Sequence, residues 1–397
     1  MAIFDRNDVY QALNYEKNIL PYIQEYQNTT LWDRLTGGSE SVIYGKTSKA
    51  GQGDEIVYTQ RQNFDPTVKI GSERLAGAED QLVYGVDKLR VGYFRFGTLI
   101  NNKFLQELQI NHRFDPDVRA QLLYQGGRLN SHRIVRQFGL AFSENNRGLP
   151  NQQYTFAQLT DKMIACGIDT PANGECVSSS RLMFGSDKGL DQATVGDALT
   201  QLSDASADTL TVEHLFNLAA LAEEGSRTNI ANKEHPIRPH KFGQNHMGYP
   251  ERSYMYITCN RGYKKLLEDP DWKNQLTRGV IERESQPSEL FNSIYKGSIH
   301  GVGVYVFPEM SNYIFTHNGQ EYAYGAFLGA GAVALGLGES PRLIPRSDED
   351  YGIITGLAHV EISDAKVLKF PSKEDLNQKG VNSKRVENGL IHSFIRL

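Results

Sequence analysis

Gly325-Ala-Phe-Leu-Gly-Ala-Gly-Ala-Val-Ala-Leu-Gly-Leu-Gly338 is the stretch on which the fold turns. Gly329, Gly331 and Ala334 stand at the spacing of a dinucleotide fingerprint, where glycines let backbone amides approach a pyrophosphate at a helix N-terminus. That use requires a helix to follow, then more parallel sheet. Here Gly336, Gly338 and Pro341 stop any helix early, and only a short tail remains before Leu397. The competing reading, which the flanks favour, is that small residues let two pieces of backbone pack closely.

Outward from this run the pattern is strand-rich. Val302–Phe307, Tyr313–Thr316, Tyr351–Ile362 and Leu390–Ile395 read as strands, as does Tyr254–Thr258, with helices expected over Asn260–Leu267 and Asp271–Ile281. Thr211 to Glu224 is the clearest helix: Thr211 caps it, Glu213 favours the positive end of its dipole, and Gly225 stops it. Its expected buried face is Val212, Leu215, Phe216 and Ala219. A further helix is expected from Asp115 to Phe142, with a bend at Gly126-Gly127, and a shorter one from Tyr154 to Cys166. Asp169 to Ala193, rich in Gly, Ser and Asp, reads as a long surface loop.

Nearer the N-terminus, Val42 to Phe96 alternates as strands: Ile56 with Tyr58, Val68 with Ile70, and Leu82 with Tyr84 and Val86. Charges of both signs interrupt it, so this long hairpin must lie on its own domain or on a neighbouring chain to be stable. Before it, a polar stretch carries Val9, Leu13 and Leu20 at helical spacing. Thr36-Gly-Gly-Ser39 marks a hinge. Strands and helices cluster without regular alternation, which makes the fold class α+β.

The chain has 397 residues and a net charge of −5, so nothing in its totals calls for binding nucleic acid by counterion release. Three cysteines, Cys166, Cys176 and Cys259, suit a reducing compartment better than a disulfide framework. The opening Met1-Ala-Ile-Phe-Asp-Arg-Asn-Asp lacks the basic then apolar pattern of a signal peptide, and the longest apolar run, Ala326 to Leu337, is too short for a bilayer. A soluble, intracellular protein is expected.

Candidate chemistry is thin. His235, His240 and His246 lie close in sequence, yet their spacing fits no common zinc site. Cys166 and Cys176 lack the spacing of a paired-thiol motif. Ser347-Asp-Glu-Asp350 lacks the ligand spacing of a calcium loop and reads as a solvated turn. Arg90-Val-Gly-Tyr-Phe-Arg-Phe96 can stack bases in principle, but strand alternation with Val91 and Tyr93 on one face explains it equally. No catalytic, cofactor or metal residue is therefore assigned. A polar arm, a hairpin in need of support and a long helix suit a subunit that buries surface against copies of itself.

These segments resemble a known family. Ile237-Arg-Pro239, Tyr254-Met-Tyr-Ile257, Leu266-Leu-Glu-Asp-Pro-Asp-Trp272, the run Leu290 to Val306 and the block Gly325 to Gly338 are similar in order to the major capsid protein of N-four-type short-tailed phages. Through it they resemble the Hong Kong 97-type capsid fold. The resemblance implies an N-terminal arm over 1–39, an extended loop with flanking strands over 40–100, and a peripheral domain with a spine helix over 101–210. An axial domain over 211–345 and returning C-terminal strands over 346–397 complete it.

It further implies a non-enzymatic coat protein that self-assembles, as hexamers and pentamers, into the icosahedral shell around a double-stranded DNA genome. It is expected in the virion and made in the host cytoplasm. Its partners would be its own copies, a portal at one vertex, an optional decoration or scaffolding protein, and packaged DNA held only weakly; no membrane and no cofactor are expected. Arg61, Lys69 and Arg74 of the hairpin are the expected inter-subunit contacts. An encapsulin-like compartment shell, a tail or portal component and a dinucleotide-dependent oxidoreductase are the alternatives.

Overall fold

The computed structural model describes residues 31–49, 51–61, 84–101, 114–140, 181–185, 208–225, 235–244, 250–274, 294–317, 319–349, 354–371 and 385–397. The glycine- and alanine-rich run is two strands and the short turn between them: β12 (Gln320–Leu328) and β13 (Val333–Glu349). They belong to different sheets. Close packing accounts for the small residues. A Cβ on Gly329 would lie 2.5 Å from the Arg238 carbonyl oxygen, and one on Gly325 would lie 2.8 Å from Cζ of Tyr256. Side chains do not approach so closely, so both positions need glycine.

The first sheet has the order β1 (Thr36–Gly37), β2 (Ile43–Thr47), β13, β14 (Ile354–Val367) and β5 (Gly92–Asn101). β2 runs parallel to both β1 and β13, whereas β14 is antiparallel to β13 and β5. The β13–β14 register slips at Leu337/Glu339 and Glu339/Arg342, which is how Gly338 and Pro341 are accommodated within a long strand.

The second sheet has the order β6 (Leu182–Phe184), β17 (Leu390–Arg396), β12, β8 (Pro250–Thr258), β10 (Val302–Val306) and β9 (Tyr295–Ile299). β11 (Ile314–His317) pairs with β12, and β7 (His240–Gln244) pairs with β8. Its central strands are buried on both faces, as their near-continuous apolar sequences require.

Helices cover the second sheet on both sides. One face takes α3 (Val212–Glu224) and α4 (Asn260–Leu266): His214 Nε2 lies 2.7 Å from Ser393 Oγ, and Gly262 sits against Ile395. The other face stacks Phe394 on Phe184 at 5.1 Å and reaches α2 (Phe114–Leu140) through the Tyr313 hydroxyl, which donates to the Val135 carbonyl. α2 runs through Gly126-Gly127 as one helix. Its buried face is Leu122, Gly126, Gly127, Asn130, Ser131, Ile134, Val135 and Phe138, a helical spacing in which small residues permit close contact. α3 has the expected cap: Thr211 Oγ1 accepts from His214 N at 3.2 Å, and Gly225 takes the left-handed conformation with φ 74.

Several expectations are corrected. Leu182–Phe184, inside the expected surface loop, is a buried strand parallel to β17; the polar composition on either side masked a three-residue apolar core segment. Ser347 to Glu349, expected as a turn, ends β13. Phe216 is exposed, because the buried face of α3 is centred on His214, Leu215, Leu218 and Leu221. Thr36-Gly37 is a strand, and α1 (Leu31–Arg34) just before it is anchored. Trp32 is 1% exposed, stacks on Phe307 at 4.8 Å and donates from Nε1 to Ser131 Oγ. The alternation around Val86 has the opposite phase, as described below. Val9, Leu13 and Leu20, and the 154–166 helix, fall outside the described residues.

Candidate functional site

The turn that joins the sheets cannot serve as a phosphate cradle. Its amides are spent within the chain: Gly329 N donates to Gly389 O, Ala330 N to Arg238 O, Gly331 N to Ser41 O and Ala332 N to Val42 O. A strand follows it where a dinucleotide site needs a helix.

The histidines and cysteine have structural roles. His240 is buried at the start of β7, its Nε2 3.4 Å from Ser253 Oγ, and burial pushes its imidazole down to about 4. Cys259 caps α4, its sulfur accepting from Gly262 N, and burial raises its thiol above the ordinary range, which leaves it an inert thiol. His246, Cys166 and Cys176 lie outside the described residues. Among the described residues no group of three or more His, Cys, Asp or Glu could hold a metal ion, and no helix is long and apolar enough to cross a membrane.

The hairpin is the feature with the most to offer a partner. Its described base is β3 (Glu55–Arg61) paired antiparallel with β4 (Tyr84–Arg90). The inner face rests on the chain's own first sheet: Ile56, Tyr58, Leu89 and Val91 form a small core with Ala334, Ile362, Leu368 and Phe370. So the base is supported by its own domain. The outer face presents Val57 and Val86, each 43% exposed, beside an exposed pair of Lys88 and Glu55.

In the expected alternation Val86 marked the inward side. The structure puts Gly85, Asp87 and Leu89 inward, because Gly85 alone can seat the Phe370 ring: a Cβ there would lie 2.7 Å from Phe370 Cγ. Asp87, 1% exposed, accepts from Lys366 Nζ at 3.2 Å and from the backbone of Lys369 at 3.0 Å. It was missed in the sequence because a lone acid breaks a strand pattern. The signal available was its position two residues before Leu89.

A second buried polar group ties α2 to the first sheet. Arg133 donates to Ser363 Oγ and pairs with Glu361, its guanidinium 4.4 Å above the Phe94 ring. Burial works to raise the Glu361 carboxyl, but His359, Arg133 and Ser363 outweigh it and hold the carboxyl below its usual range. In Arg90–Phe96, Tyr93 is exposed with Arg95 above its ring, while Val91 is buried. The shared face expected for Val91 and Tyr93 is therefore absent, since Val91 lies at the junction with the hairpin.

Of the expected contact residues, Arg61 closes the described ribbon, its backbone opposite Tyr84. Lys69 and Arg74 lie outside the described residues.

No family model and no curated protein matches the chain. Among solved structures it is similar to the capsid of Ralstonia phage GP4, at 15% identity and a TM-score of 0.61 over 91% of this chain and 89% of that one. It is similar to the cyanophage Pam1 capsid at 16% identity and 0.59, covering 91% of each chain. It is also similar to the acidic stable capsid structure of Helicobacter pylori bacteriophage KHP30, at 11% identity and 0.56 over 91% of this chain and 89% of that one. The chain has the fold of these phage capsid proteins.

Proposed function

We propose that this chain is a phage major capsid protein, a non-enzymatic subunit that self-assembles into the icosahedral shell around a double-stranded DNA genome. The observation that carries the reading is the match of nearly the whole chain, in both directions, to phage capsid structures. The finer assignment is the Hong Kong 97-type fold. On it, 1–39 is the arm, 40–100 the extended loop, 101–210 the peripheral domain with α2 as spine, 211–345 the axial domain, and 346–397 the returning strands.

The physical logic is repetition. A ribbon only one face of which is covered by its own chain gains stability when laid on a neighbour, and a closed shell repeats each modest contact many times. Copies arranged as hexamers and pentamers are the main partners, with a portal at one vertex, an optional decoration or scaffolding protein, and weakly held DNA. The place of action is the virion, after synthesis in the host cytoplasm. Arg61, Lys69 and Arg74 are the proposed ribbon contacts to acidic groups of a neighbour.

Electron microscopy of the expressed chain is the test. Closed particles are the expected outcome; a chain that stays monomeric at high concentration, in the presence of candidate scaffolding protein as well, overturns the reading. Reversing the charge of Arg61, Lys69 and Arg74 together should lower particle yield with the monomer still folded. Single changes should do little, because exposed pairs are individually weak.

A further inference from the structure

We infer that Asp87 is a positioning residue that locks the angle of the hairpin base against the body of the subunit. The inference rests on the reading of the hairpin as the extended loop used in assembly, and it assigns that loop the device that aims it.

The chain enters the ribbon beside Gly53, which donates to the Val91 carbonyl at 2.8 Å, while Val91 N donates back to Asp54 O at 3.0 Å. Past this paired junction, Val91 leads at once into β5 of the first sheet. A two-stranded ribbon joined at one end is free to tilt unless something along its length fixes it. Beyond the apolar core under Ile56, Tyr58, Leu89 and Val91, two contacts do so from one place. The Phe370 ring fills the space over Gly85, which makes a pivot without direction. Asp87, two residues on, supplies direction: its carboxylate takes the Lys366 amine on β14 and the backbone N–H of Lys369 at the start of β15 (Lys369–Pro371).

The anchor is itself tied to the second sheet. β15 pairs with β16 (Arg385–Glu387), where Lys369 stands opposite Glu387 with Nζ 3.7 Å from its carboxylate, both buried. Arg181, buried beside β6, donates from Nε to the Glu387 carbonyl and from a terminal nitrogen to the His235 carbonyl. A chain of polar contacts thus runs from the ribbon through β15–β16 to the second sheet. Because the Asp87 carboxylate is buried and lends its charge to both contacts, they outweigh the exposed Lys88–Glu55 pair in fixing the ribbon.

Hydrogen exchange of the unassembled full chain, read by mass spectrometry, tests this without requiring particles. Asp87→Asn keeps the shape and removes the charge. The expected result is at least about tenfold faster exchange across β3 and β4, with β12 and β17 within about twofold of wild type, because only a local opening is released. Lys366→Met should loosen the same amides to a smaller degree, and Lys366→Arg should restore near wild-type exchange.

Unchanged exchange in the ribbon overturns the inference. So does equal acceleration in both sheets, which would make Asp87 an ordinary stabilising residue. Should Asp87→Asn fail to fold, the Lys366 pair decides on the same criteria. Particle microscopy of the same variants scores the assembly reading separately: a wild-type chain that forms no shells sinks that reading and leaves the exchange result standing.

Discussion

Acid should loosen this chain through His240, and the size of the effect follows from the structure. The side chain is 2% exposed, and burial holds its imidazole at about 4 against 6.5 in the unfolded chain. The fold therefore favours the neutral ring. Its contribution is complete above pH 6.5 and is lost as pH falls from there toward 4, since the unfolded chain takes up the proton first. With 1.36 kcal/mol for each unit, the loss from this one group between pH 8 and pH 5 is about 2 kcal/mol, and it levels off near 3 kcal/mol at lower pH. The assay is urea unfolding of the unassembled chain at pH 8, 6 and 5, for wild type and for His240→Gln. The variant starts weaker or equal at pH 8, but its stability should fall by about 2 kcal/mol less on the way to pH 5. His392, also buried and also held well below its usual value, acts in both proteins and cancels in the comparison. Parallel curves for the two proteins would refute the assignment, because a ring that protonates freely in the folded state cannot be enclosed as described.

Other expectations are simpler to score. Gly329→Ala places a methyl against the Arg238 carbonyl, a backbone atom that cannot swing away, so a loss of about 1–3 kcal/mol is expected by thermal melting. Trp32→Ala empties a site stacked on Phe307 and should cost about 3–5 kcal/mol, with a drop in buried tryptophan emission. Thr211→Ala removes the α3 cap and should cost about 1 kcal/mol, recovered in large part by Thr211→Ser. Arg133→Met leaves the Glu361 carboxylate without its guanidinium at 2% exposure. A loss of about 3–5 kcal/mol is expected near neutral pH, shrinking in acid as Glu361 protonates.

What was legible in the sequence was local. α3 was readable because its cap, its stop and its apolar spacing lie within 15 residues of one another, Thr211 through Gly225. The strands around Val302, Ile314 and Leu390 were readable from apolar runs bounded by turn residues. The glycine-rich run was legible as close packing, since its flanks denied it a helix.

What was hidden depends on partners far along the chain. Phe216 and Leu215 are both apolar, and only the placement of β17 against α3 decides which is covered. Leu182–Phe184 is three residues of strand whose reason to exist is a pairing more than two hundred residues away. Asp87 looks like a surface acid until Lys366 and Lys369 arrive from the far end of the sequence. The hairpin's need for support was visible; that its own first sheet supplies the support was not. Arg61, Lys69 and Arg74 stand out in the sequence by charge alone, and charge names no partner surface.

Among the described residues the chain visits the two sheets alternately: first sheet to residue 101, second from 182 to 328, first again from 333 to 367, and second from 390 onward. Neither layer is a continuous piece of polypeptide, so neither can be cut out and expressed alone. A force drawing the layers apart would be borne by three covalent tethers in parallel. A protease nick in any one of them would leave the other two holding, as stitching holds after a single thread is cut.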